Sequence, residues 1–200
     1  MPPKTRFSQN DIIDAAFEVV RSQGMDALSA RNIARQLNSS TQPIYSYLKS
    51  MKDLQEIITE KAFNLLISYE TQKHTGHVGI DRSIGNVLFA KKEIRLWRFL
   101  HDTRNHSLVS PYFKKRFASI VGEIKSTGAN LSHEDNEKFF YIVWFFLYGL
   151  CSMVNNACSE GAKETKPIFQ DDESICKLVI EGIQSIWIGF KQTHEIKPPT

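Results

Sequence analysis

Apolar residues recur along this chain at spacings of three and four, and no segment alternates with a period of two for long. A helix turns once every 3.6 residues, so that spacing lines apolar side chains along one face. Ile12, Ile13, Ala16, Phe17, Val19 and Val20 form the first stripe. Ser8 with Asp11 three residues on predicts its capped start, a variant of the capping box, and Gly24 its end. Ser29 predicts the cap of a short second helix through Leu37, Asn38-Ser39-Ser40 a tight turn, and Thr41 to Leu48 a third short helix. A longer helix over 52–72 buries Leu54, Ile57, Ile58, Ala62, Leu65, Leu66 and Tyr69, and His74-Thr75-Gly76-His77 breaks it. Further helices are predicted over 80–90, 92–105, 110–127, 132–160 and 172–192. Ser110-Pro111 reads as a cap before a first-turn proline, and Ser132 with Asp135 as a second capping box. Asp171, Asp172 and Glu173 suit the positive end of the last helix and Lys191 its negative end. The expectation is an all-α chain of about nine helices.

Composition adds little to this. Of 200 residues, 42% are apolar and 24% charged, which excludes a disordered, collagenous or disulfide-scaffold protein. The net charge of +3 is mild, but its distribution is not. No acid occurs between Asp26 and Asp53, whereas Arg31, Arg35, Lys49 and Lys52 all do. Residues 91–125 carry nine basic and three acidic residues; residues 126–200 carry six basic and ten acidic. The start, Met1 to Arg6, has no apolar core of the kind a secretory signal needs. Cys151, Cys158 and Cys176 are odd in number and lack metal-ligand spacing, which fits reduced thiols acting as small hydrophobes in the cytoplasm, with redox sensing as the competing role. No cofactor is implied.

Residues 30–49 fit a helix-turn-helix. That motif asks for a small residue where the second helix crosses the first. Four residues on it needs one that tolerates a left-handed backbone, and six further an apolar lock. Ala34, Asn38 and Ile44 meet these needs in order, with Ile33 and Leu37 as further anchors. An ordinary helical hairpin can imitate the triplet. The lack of acids, as a phosphate-facing surface requires, and the polar second helix point instead to DNA.

The first 65 or so residues resemble the DNA-binding domain of the TetR family of bacterial transcriptional regulators. The resemblance is carried by Ile12/Ile13 through Ala16 and Val20, then Gly24 and Leu28-Ser29-Ala30-Arg31-Asn32-Ile33-Ala34. It continues through Ile44-Tyr45-Ser46-Tyr47-Leu48 and Lys52-Asp53-Leu54. Four positions depart from the pattern: Asn38 for Gly, Leu48 for Phe, Met51 for Lys, and Lys52 where an acid is common. The resemblance implies a homodimer that sets the helix from Thr41 to Leu48 of each subunit into successive major grooves of a palindromic operator. It implies phosphate or base contacts from Ser29 and Arg31, and backbone positioning by Tyr45, Tyr47 and Lys49. Base reading falls to Ser40, Thr41 and Gln42, a thymine-methyl contact to Pro43, and a minor-groove arm to Lys4 and Arg6. Ser39 and Lys52 complete the DNA-binding set, Lys52 as a displaced phosphate contact.

By the same resemblance, residues 1–52 form the DNA-binding domain, linked through helix 52–72, and 53–200 a helical domain for effector binding and dimerisation. Residues 139–159 hold no charge over 21 positions. A membrane span competes for that stretch, but the strongly apolar part stops at Val154, Asn155-Asn156 follow, and the near flanks are largely acidic. A helix apolar all round is expected to be buried on all sides. The TetR-like architecture implies that it and the last helix pair with their twins through Phe140, Val143, Leu147, Cys151, Val179, Ile183, Ile186 and Trp187, with Gly149 allowing close approach. Trp97, Phe99, His101, Phe113, Phe117, Trp144 and Tyr148 are the candidate lining of an effector pocket, with Arg98 and Arg104 as anion partners. Repression relieved by a small effector is the implied mode. An enzyme competes poorly: there is no Gly-x-Ser-x-Gly elbow, no His-Glu-x-x-His and no phosphate-cradling glycine loop. A TetR-fold protein that acts through a protein partner without binding DNA is the alternative.

Overall fold

The computed structural model describes residues 7–47, 50–126, 131–159, 167–169 and 171–193. Among these, nine α-helices and three short 3-10 turns account for the regular structure, with no strand. The helices are α1 (Gln9–Gln23), α2 (Ala30–Gln36), α3 (Gln42–Tyr47), α4 (Met51–Glu70) and α5 (Val78–Lys92), then α6 (Ile94–His101), α7 (His106–Ser126), α8 (His133–Ala157) and α9 (Asp172–Thr193). They form two compact units: Met1–Leu65 with Glu93–Pro111, and Leu66–Lys92 with Tyr112–Thr200. The division falls inside α4 and inside α7, not at residue 52, and it assigns α6 to the first unit.

In the first unit the local signals act as their chemistry dictates. Ser8 Oγ accepts the Asp11 N–H at 3.2 Å while Asp11 Oδ2 accepts the Ser8 N–H at 2.7 Å, a complete capping box for α1. Gly24 ends α1 with φ of 92°, a backbone that a side chain would strain. Ile12, Ala16, Val19 and Val20 of α1, Ile33 of α2, Ile44 of α3 and Leu54, Ile58 and Ala62 of α4 are fully or almost fully buried, as are Leu96 and Leu100 of α6. Each apolar side chain so enclosed contributes roughly 1.5–3 kcal/mol relative to exposure.

The second unit is built around α5. From Ser83 to Ala90 every residue of that helix but Asn86 is buried. It packs with α8 and α9. Gly85 is required for this arrangement: a Cβ there would lie 2.2 Å from the Tyr69 carbonyl oxygen, so α4 and α5 touch backbone to backbone. Asp81 closes the loop before α5 by accepting from Thr75 N (2.6 Å), Thr75 Oγ1 (2.7 Å) and Gly76 N (3.1 Å). Burial pushes that carboxyl up, but these bonds outweigh it and hold it below its ordinary range. Asn155, fully buried in α8, donates to the Ala90 carbonyl at 2.9 Å, so the polar break in the apolar run locks α8 to α5. Ser132 caps α8 through the Asp135 N–H (3.0 Å), and Asp171 caps α9 through the Ser174 N–H (2.6 Å).

Two expectations are corrected. Pro111 does not start a helix but lies inside α7, because Asp102 accepts the Arg104 N–H and heads a 3-10 turn, Thr103–Asn105, that runs straight into His106. The predicted helix over 92–105 is therefore α6 followed by that turn. Helix α8 is not buried on all sides within its own chain. It is long and apolar enough to cross a membrane by length and composition, yet only 22% of its apolar window is buried. Tyr141, Ile142, Trp144, Phe145, Tyr148 and Met153 are exposed.

Candidate nucleic-acid interface

The turn between α2 and α3 sets the geometry. Asn38 adopts φ of 48°, the left-handed conformation that its position requires. The Ser39 N–H reaches back to the Ala34 carbonyl (2.9 Å) and the Asn38 N–H to the Arg35 carbonyl (3.1 Å). Together they form a Schellman motif that satisfies two carbonyls at the end of α2 and turns the chain sharply. Ala34 and Ile44 are buried where the two helices cross. The Thr41 carbonyl accepts from Ile44 and Tyr45, so α3 starts one residue after the expected Thr41.

Ser29 Oγ accepts the Asn32 N–H at 3.3 Å, capping α2 and leaving its own O–H as a donor. Asn32 in turn donates to the Ala27 carbonyl at 2.7 Å, which fixes the approach to the motif. Ile44 faces the core of the first unit, so α3 turns its other side outward. Gln42, Tyr45 and Ser46, at positions i, i+3 and i+4, are exposed, and Tyr45 is 69% exposed despite its size. Thr41, Pro43 and Tyr47 flank that face and are half-buried; Ser40 is exposed and Ser39 half-buried. Ser46, absent from the expected site, is revealed by the register of α3. Its hydroxyl donates to the Gln42 carbonyl (3.0 Å), leaving lone pairs outward.

Along α2 the exposed cations Arg31 and Arg35 lie four residues apart, on one side of the helix. Among the described residues no ion pair engages Arg31, Arg35 or the exposed Lys52. Elsewhere in the same unit Arg21, Lys61 and Arg104 are all paired with carboxylates. Among the described residues, the charge of Arg31, Arg35 and Lys52 is thus not neutralised by a carboxylate. Arg6 and Lys49, with Lys4 and Leu48, lie outside the described residues.

The other expected sites fare differently. Trp97, Phe99, Arg98, His101 and Arg104 belong to the first unit, and Phe113, Phe117, Trp144 and Tyr148 to the second. Trp97 and Phe99 are buried, and the Trp97 ring stacks on His101 with centroids 4.4 Å apart. Arg104 is 72% exposed and its guanidinium is held by Asp102 at 2.6 Å, so it is no buried anion partner. Arg98 is exposed. Phe117 meets Phe140 edge to face (4.7 Å), while Trp144 and Tyr148 are exposed neighbours at 5.9 Å.

Within the second unit a polar cluster that no local motif announces sits among the apolar helices. Glu70, buried, accepts from Arg116 Nε (3.0 Å) and Nη2 and from Asn86 (3.1 Å), and the Cys151 thiol lies 3.6 Å from the Asn86 amide oxygen. Burial pushes Glu70 above the usual carboxyl range against the opposing pull of Arg116, and it pushes the Cys151 thiol up to about 12. Such a thiol is protonated and unreactive at neutral pH.

Of the expected dimer residues, Cys151 (2% exposed) and Val179 (fully buried) belong to the core of their own chain, which removes both from any surface. Phe140, Val143, Leu147, Ile183, Ile186 and Trp187 are half-buried. Trp187 packs on Phe139 of the same chain at 5.1 Å. The exposed apolar residues Tyr141, Ile142, Phe145 and Ile188 escaped the sequence reading, because α8 is apolar on every face over this stretch.

Among the described residues, a helix-turn-helix whose polar outward face carries cations without paired carboxylates has the features of a DNA-reading motif. Residues 12–56 match the family model described as bacterial regulatory proteins, tetR family, so this stretch is similar to the N-terminal DNA-binding domain of such regulators. A comparison with curated proteins finds no match.

Proposed function

We propose that the protein is a homodimeric, cytoplasmic repressor, without enzymatic activity, that binds a palindromic operator and is released by a small-molecule effector. The observation that carries this reading is the outward face of the motif. Gln42, Tyr45 and Ser46 are exposed on α3, and Arg31 and Arg35 are exposed on α2 with no carboxylate paired to them among the described residues. Gln42, Thr41 and Ser40 read base edges, Pro43 meets a thymine methyl, and Ser29, Ser39, Arg31, Tyr45, Tyr47, Lys49 and Lys52 hold the backbone, with Arg6 on an arm in the minor groove. The exposed apolar stripe of α8 and Ile188 of α9 support dimerisation, since a monomer rarely leaves so large a patch in water. The Glu70–Arg116–Asn86 cluster supports effector recognition in the second unit, because charge kept in an apolar interior marks a functional-site candidate.

A gel shift on duplex DNA from upstream of the protein's own gene tests the reading. Binding is expected to weaken steeply with salt, as phosphate contacts release counterions. A dimer that binds no duplex at low salt would overturn the DNA-binding role and leave the partner-binding alternative.

A further inference from the structure

The family match ends at residue 56, yet the first compact unit also contains Glu93–Pro111. A charged contact joins that late segment to α1. Arg21, in the last turn of α1, grips Glu93 with two parallel bonds, Nε to Oε2 at 2.7 Å and Nη2 to Oε1 at 2.6 Å. Such a fork is the strongest and most directional of the charged pairs available to side chains. Glu93 is 3% exposed, so the carboxylate end of the fork lies away from water. It heads α6, with its carbonyl accepting the Trp97 N–H at 2.8 Å, but its side chain makes no capping bond to that helix. The side chain bonds to Arg21 of α1. From this point α6 buries Leu96, Trp97, Phe99 and Leu100, and α1 and α6 pack together in one unit.

We propose that Arg21 and Glu93 are a positioning pair for operator binding: the fork seats α6 against α1, and the reading head is a four-helix assembly, with a span of α4, that is incomplete without residues 93–101. Neither residue touches DNA in this scheme. The pair acts through α1, whose buried face packs on α2, the first helix of the motif. The proposal rests on the DNA-binding reading above.

The test uses the full-length protein and a duplex selected by it from a randomised pool. Glu93→Gln keeps the shape and removes the charge; Arg21→Lys keeps the charge and removes the fork. Both are assayed at a temperature where circular dichroism shows them folded, with affinity and its salt slope measured alongside the thermal midpoint. Loss of a negative charge by itself favours DNA binding, so electrostatics alone predicts a tighter Glu93→Gln variant. The expected result is the opposite: affinity about fivefold to tenfold weaker in both variants, or about 1–1.4 kcal/mol, with the salt slope unchanged because no phosphate contact has gone. Affinity equal to or above the parent's, with only the thermal midpoint lowered, would overturn the proposal and leave the pair a structural brace. If instead the parent selects no duplex at all, it is the DNA-binding reading that has failed.

Discussion

Gln42 stands at the first position of α3, exposed, beside the backbone that Asn38 turns. A glutamine amide can donate and accept at once, which suits the paired donor and acceptor of adenine. Replacing it with Ala is expected to relax preference at one operator position, costing about 1–3 kcal/mol there and little elsewhere. Selection from a randomised duplex pool reads this directly, and an unchanged preference at every position would count against the assignment. Asp81 offers a residue-scale test of stability. Its carboxyl is held below the ordinary 3.8 in the folded chain, so its contribution is present above that value and is lost as pH falls through the lower folded one. Asp81→Asn leaves Thr75 and Gly76 donors facing an amide and should cost about 1–3 kcal/mol at neutral pH. The gap in thermal midpoint between variant and parent should close only below 3.8; a gap that persists into strong acid contradicts the ionised cage.

At the scale of elements, much was legible because it is local. The Ser8, Ser29 and Ser132 caps and the left-handed Asn38 all lie within a few residues of what they control. Pro111 was not legible. Proline is common at a first helical turn, but here the Asp102 cap starts the helix upstream and the proline falls in the second turn. Its missing N–H leaves the Ser107 carbonyl without its helical donor, and both residues are exposed, so water can serve instead. Pro111→Ala restores that donor. Stability should rise by about 2–3 kcal/mol: the helix-interior cost of proline, ~3 kcal/mol, less up to ~1 kcal/mol of unfolded-chain entropy. A lower thermal midpoint in that variant would contradict the account. The Glu70–Arg116 and Arg21–Glu93 pairs were equally hidden, since each joins helices distant in sequence and no spacing rule links them.

For the whole molecule, the exposed stripe on α8 carries the largest consequence. Phe145 is 64% exposed. If that stripe is the subunit interface, Phe145→Glu places an unpaired charge in the middle of it. The parent should sediment as a dimer at micromolar concentration and the variant as a monomer, with operator affinity lost in parallel because the two heads are no longer linked. A dimeric variant moves the interface elsewhere. The apolar character of α8 could be read from the uncharged run at 139–159, but not which side of it faces outward. A helix apolar on every face gives no periodic signal until packing within the chain takes one side away.

The first unit is written discontinuously along the chain, and this bears on how the protein is made. Residues Leu66–Lys92, which belong to the other unit, are synthesised between its two parts. Ribosomes add about 5–20 residues per second, so a contiguous N-terminal domain can fold while the rest is still being translated. Here the three-helix motif emerges early, yet Arg21 has no Glu93 to grip and α1 keeps an uncovered apolar side until α6 appears. The nascent motif therefore waits, partly covered, for the second part of its own unit. Its closure depends on contacts between segments far apart in sequence, the kind that slow folding.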